Sequence, residues 1–139
     1  MARHHARELA LRILYEHDVA HAPLDEVLTR AVQGATEADR LYARELVEGT
    51  MSEQVRVDEW IRQAAKAWRL ERMPAIDRNI LRLGCYEMAR EPDVPLSVII
   101  DEAVELAQSY STEDAKRFVN GVLGTIAEKV RPEGDTDRQ

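Results

Sequence analysis

The chain has 139 residues, 45% apolar and 32% charged, with a formal net charge of −7. A chain of this profile is globular rather than disordered, and one this long buries roughly 70% of its unfolded surface. The acidic balance excludes nucleic-acid binding by bulk attraction, so any such contact must be local or assisted by a basic partner.

The first residues, MARHHARE, are basic but lack the apolar core of a signal peptide. From Arg3 to about His21, Ala6, Leu9, Ala10 and Ile13 follow the three-to-four spacing of an amphipathic helix. A second helix is predicted from about Leu24 to Gln33, started by Pro23 and stopped by Gly34. Thr36 and Asp39 resemble a capping box and open a long helical region through Leu46, Trp60 and Ala64, with a break expected at Gly49 to Ser52. The segment WRLERMP reads as a connector, and Pro74 starts a helix carrying Ile76, Ile80, Leu81, Leu83 and Met88. REPDVP is the clearest boundary. A helix follows from about Leu96 to Ser109, and Thr112 caps the last one, which ends before Pro132. PEGDTDRQ reads as a polar, frayed tail. The predicted class is all-α, about seven helices, with no sheet.

No glycine-rich phosphate loop, G-x-S-x-G or C-x-x-C motif is present. His17 and His21 stand four apart but lack the glutamate of an H-E-x-x-H motif and a third ligand. Cys85, the single cysteine, reads as a buried small hydrophobe; it excludes an internal disulfide and suits a reducing cytoplasm. No apolar run approaches the ~20 residues that cross a bilayer.

Two surfaces do not read as core. In the last helix Ala115, Val119, Val122, Leu123, Ile126 and Val130 form one stripe, and Phe118 stands to one side of it next to Gly121. An aromatic there can stack an unpaired base, or it can pack at the core margin against a helix that Gly121 lets approach; helical geometry leaves both open. In the first helix Arg3, Arg7, Leu11 and Tyr15 form a second ridge, which either another element or a ligand must cover. Arg7 with Glu8 and Arg12 with Glu16 read equally well as solvated helix charges.

The runs ARELALRILYEHD, DRLYARELVEGT, IDRNILRLGCYEM and DVPLSVIIDEAVELAQSYSTEDAKRFVNGVL, in this order and spacing, resemble the NusB family of transcription antitermination proteins over about residues 3 to 130. The resemblance implies two packed helical lobes, about 3–66 and 67–131, ahead of the tail at 132–139. It implies no enzyme activity and calls for no cofactor or metal. It further implies pairing with NusE, a small-subunit ribosomal protein, and binding of a single-stranded RNA element, boxA, so that a complex with NusA and NusG loads onto RNA polymerase. The family's RNA face falls here on Arg3, His4, His5, Arg7, Tyr15, Arg82, Asp114, Lys116, Arg117 and Phe118. Arg3 and Arg7 would hold phosphates, and Tyr15 and Phe118 would receive bases. The NusE face falls on Asp77 and Arg78 and on Pro95, Leu96 and Ser97. Where many relatives carry consecutive arginines this chain has His4 and His5, so RNA binding is expected to lean on the basic partner and to strengthen toward pH ~6. Alternatives are a NusB-like domain serving an RNA methyltransferase, for which the glycine-rich cofactor loop is lacking, and a homodimer that masks the RNA face.

Overall fold

Every one of the predicted helices forms, and the order of elements is α1 (His4–Ala20), α2 (Leu24–Ala31), α3 (Glu37–Ser52), α4 (Gln54–Ala64), α5 (Ala75–Arg90), α6 (Leu96–Tyr110) and α7 (Glu113–Val130). The structure, a computed structural model, describes residues 3–134; residues 1 and 2 and the end of the polar tail, 135–139, lie outside the described residues. Among the described residues there is no strand, and no helix is long and apolar enough to cross a membrane.

Local chemistry accounts for the helix limits. Thr36 and Thr112 each accept a hydrogen bond from the backbone N–H three residues on, at 3.1 and 3.2 Å, satisfying an otherwise orphaned donor. The α1 helix stops at His21, which takes the left-handed conformation at φ 57°, and Gly34 at φ 87° turns the chain after α2. The break between α3 and α4 falls at Glu53, just past the predicted Gly49 to Ser52, because Glu53 (φ −101°, ψ 12°) leaves helical geometry while its N–H still bonds Gly49. The expected connector contains a short 3-10 turn, Leu70–Arg72. Asn120 and Gly121 make no turn: α7 runs through them unbroken.

Helix α5 is the axis of the molecule. Every residue from Asn79 to Met88 is buried, so it is covered on all sides, by α1, α3 and α4 on one flank and α6 and α7 on the other. The apolar residues of all seven helices join in one buried cluster. Two close approaches tie helices to this axis. A Cβ on Gly49 would stand 2.2 Å from the Tyr86 ring, and one on Gly84 3.0 Å from Leu123.

Burial of the central turns of α5 takes charges with it, and these are matched. Arg7 of α1 donates to both carboxylate oxygens of Glu87 at 2.9 to 3.1 Å, and the Tyr42 hydroxyl donates to the same carboxylate at 3.0 Å. Arg82 donates to both oxygens of Asp58 at 2.8 and 3.1 Å, joining α5 to α4. Asp18 accepts from Arg78 and Asn79, both at 2.9 Å, and pins the end of α1 to the start of α5. Arg131, just past α7, donates to the carbonyls of Met88, Glu91 and Val94, closing the turn that REPDVP marks.

Candidate nucleic-acid interface

The last helix supplies the aromatic centre of the site. Phe118 is half-buried, its inner side packed on the core. Its outer side meets Trp68, whose ring lies edge-on at 5.9 Å and 72°. Both Gly121 and Asn120 are exposed, and nothing stands within 4 Å of a Cβ placed on Gly121. The reading in which Gly121 admits a second helix is therefore wrong; the glycine leaves open space. Phe118, Trp68, Met73 and Pro74 floor a groove of about 440 Å³ with Asp77, Thr112, Asp114 and Arg117 around them. Lys116 points elsewhere and pairs with Glu113 at 2.9 Å.

A second groove, of about 460 Å³, lies on the other side of the first turn of α5, lined by Leu11, Arg12, Tyr15, Val19, Ile76 and Tyr110 among others. Ile76 belongs to this groove and Asp77 to the other, so the two adjoin. The Ser111 hydroxyl donates to Asp77 at 2.5 Å and forms the sill between them. Tyr15 is 37% exposed here, whereas Leu11 on the same ridge is buried. The second ridge of α1 is thus covered by protein along Arg7 and Leu11 and left open only at Tyr15 and Arg3.

The basic N-terminus lies farther along the same helix, about 16 Å from Tyr15 at 1.5 Å per residue. Arg3 is exposed and its guanidinium sits 4.2 Å from the centre of the Tyr42 ring, a cation–π contact. His4 donates to Glu102 at 2.7 Å, with Glu105 and Glu8 each 3.9 Å away. That hydrogen bond to Glu102 raises the His4 pKa above 6.5, burial opposing it. His4, Glu102 and Glu105 bring atoms of ligand type within 4.8 Å of one another, with His4 already hydrogen-bonded to Glu102. His5 points outward, 3.4 Å from Glu8.

Four of the expected site residues are corrected by this geometry. Arg7 is 2% exposed and its guanidinium is held by Glu87, so it is neither a phosphate contact nor a solvated helix charge. Burial works against its charge, and the bond to Glu87 more than compensates. Arg82 is buried on Asp58, away from the Phe118 groove. In the expected partner face, Asp77 is buried under Ser111 and Arg78 is committed to Asp18, so neither presents a free charge. They also stand at the opposite end of the α5–α6 hairpin from Pro95, Leu96 and Ser97, about a 16-residue helix or 24 Å away. Of the second group, Ser97 is exposed and Pro95 and Leu96 half-buried. The histidine expectation changes as well: acidification adds charge at His4 that three glutamates already surround, leaving His5 as the outward-facing histidine.

Sequence reasoning missed Trp68. A tryptophan within the polar connector WRLERMP was the available signal, since an indole in a loop must be covered by something or be used. Cys85 is fully buried, as expected, and burial pushes its thiol pKa up.

The fold and the paired grooves define a class: all-α proteins that work through a surface they present. The sequence model of the NusB family matches residues 4–128. The transcription antitermination protein NusB of Desulforudis audaxviator (strain MP104C) is 41% identical over 138 residues, covering 96% of this chain and all of that one. In three dimensions the chain is similar to T. maritima NusB, with a TM-score of 0.87, 31% identity, and coverage of 98% of this chain and 94% of that one. It is also similar to a chain in a crystal structure of the antitermination factors NusB and NusE in complex with double-stranded RNA, with a TM-score of 0.84, 26% identity, and coverage of 91% and 96%. The chain belongs to the NusB family of transcription antitermination proteins, which act by binding and not by catalysis.

Proposed function

We propose that this protein pairs with NusE and binds single-stranded boxA RNA, and that the pair helps assemble an antitermination complex with NusA and NusG on RNA polymerase in the cytoplasm. The observation that carries the RNA reading is the groove on α7, where an exposed indole and a half-buried phenylalanine meet and Arg117 joins the lining. Bases stack on such rings at a gain of ~1–3 kcal/mol each, with little regard for sequence. Family membership and the likeness to a NusB chain solved with NusE and RNA support the choice of partners.

RNA would run from the exposed Arg3 and His5 past Tyr15 to Phe118, with Arg117 holding a phosphate beyond it. The count of free cations along this path is small and the chain is acidic overall. A basic partner therefore supplies much of the phosphate attraction, and the exposed Ser97 with Pro95 and Leu96 is the segment assigned to it. A mobility-shift assay with boxA RNA tests the reading. The mixture with NusE should shift the RNA at concentrations where either protein alone shifts little. Absence of any shift with both proteins present would end the RNA-binding reading and leave the fold untouched.

A further inference from the structure

We propose that the groove lined by Trp68 and Phe118 receives one unpaired base, with Trp68 as its stacking platform, and that it favours bases bearing an amino group over uracil. This rests on the RNA reading above and goes beyond it in naming the platform and the base class.

Trp68 is 61% exposed, although it is one of the two largest apolar side chains of the protein and sits in a polar segment. It is not loose: its backbone N–H bonds the Ala65 carbonyl at 3.0 Å, and its ring is braced by Phe118 in a T-shaped contact. With the two rings at 72°, Phe118 covers at most one face of the indole, and the 61% exposure of Trp68 in the groove it lines with Met73 and Pro74 leaves ring surface on which a planar base can stack.

The charges around the cleft give the nucleotide its direction. Asp77 and Asp114 lie on its walls and Arg117 completes the lining. A phosphate is repelled from the acidic side and held by Arg117, so the base enters and the backbone stays outside. A carboxylate only accepts hydrogen bonds. Cytosine, adenine and guanine each offer amino N–H donors, whereas uracil offers one N–H flanked by two carbonyl oxygens that a carboxylate repels. Asp77 already accepts from Ser111, which leaves Asp114, exposed in the first turn of α7, as the group that reads the base.

The test uses a Trp60→Phe background, in which Trp68 is the one indole, and oligocytidylate and oligouridylate of about ten nucleotides at fixed salt, within the usual footprint of single-strand sites. Oligocytidylate should quench Trp68 emission and bind at least about 5-fold tighter than oligouridylate. Trp68→Ala should weaken binding about 5- to 150-fold with an unchanged Tm, and Trp68→Phe should restore most of it. Asp114→Asn should erase the preference for cytosine, because an amide both donates and accepts. Unaltered affinity in Trp68→Ala, equal affinity for the two homopolymers, or Trp68 emission that responds to a protein partner and not to RNA would each overturn the proposal. The two levels separate with boxA RNA and NusE. If the wild-type pair fails to bind, the RNA reading falls and this inference with it; if Trp68→Ala binds as well as wild type, this inference falls alone.

Discussion

Arg7 of the ridge is a core residue, whereas Phe118 lies partly in the core and partly in the groove where RNA binding is proposed. Arg7 holds Glu87 in a buried, bidentate pair, so Arg7→Ala strands a carboxylate in the core. A loss of roughly 3–5 kcal/mol is expected in chemical denaturation, because the unpaired charge keeps its desolvation cost. A variant that unfolds like wild type but binds RNA with a smaller salt slope would return Arg7 to the phosphate contacts. The inner side of Phe118 packs on the core and its outer side faces the groove and Trp68, so the core-margin alternative holds in part, without the helix that Gly121 was expected to admit, and base stacking is the part the RNA assay tests. The burial of Arg7 was not legible in the sequence, since periodicity assigns an arginine to the surface by default. The hint lay in Leu11 one turn farther along the same ridge, an apolar residue that some element had to cover.

Helices were the legible part, and for physical reasons. Apolar spacing, prolines at helix starts and threonine caps all act within a few residues, so the limits of α3 and α7 follow from Thr36 and Thr112 directly. What each helix meets is set by residues far away in sequence. The ion pair of Arg82 with Asp58 and the separation of Arg78 from Ser97 are of this kind. Glycines show the same divide. Gly121 faces open space within α7, so Gly121→Ala should stabilise the protein by about 0.5–1 kcal/mol through helix propensity. Gly49 lies under the Tyr86 ring, so Gly49→Ala should cost about 1–3 kcal/mol by overpacking. Thermal melts of the two variants check this directly: shifts of the same sign would contradict the packing described for α3 on α5.

Across the assembled protein, acidic groups crowd the same end of α1 and α5, and this sets a pH dependence. Burial, and then the hydrogen bond to Glu45, push the Glu91 pKa up from 4.5 to about 7. The folded chain therefore holds a proton that the unfolded chain has released, and stability falls as pH rises from 4.5 to about 7. His4, raised by Glu102, contributes its full stability below 6.5 and loses it as pH rises through its higher folded value. Asp18 runs the other way. Burial opposes its charge, but Asn79 and Arg78 hold its pKa below 3.8, so its contribution is present above 3.8 and is lost as pH falls through the folded value. The Tm should thus rise on going from about pH 8 to about pH 5 and drop in stronger acid. His4→Gln combined with Glu91→Gln should flatten the rise; a double variant with the wild-type slope would contradict the assignment.

The formal net charge of −7 works against attraction of RNA by the chain alone, so the central test includes the proposed partner. The most direct measurement is the affinity of fluorescently labelled boxA RNA for the protein mixed with NusE, compared between wild type and Phe118→Ala at one salt concentration where both are folded. A weakening of at least about 5-fold is expected, equivalent to ~1 kcal/mol for a lost stacking contact. Equal affinities in the two mixtures would contradict it.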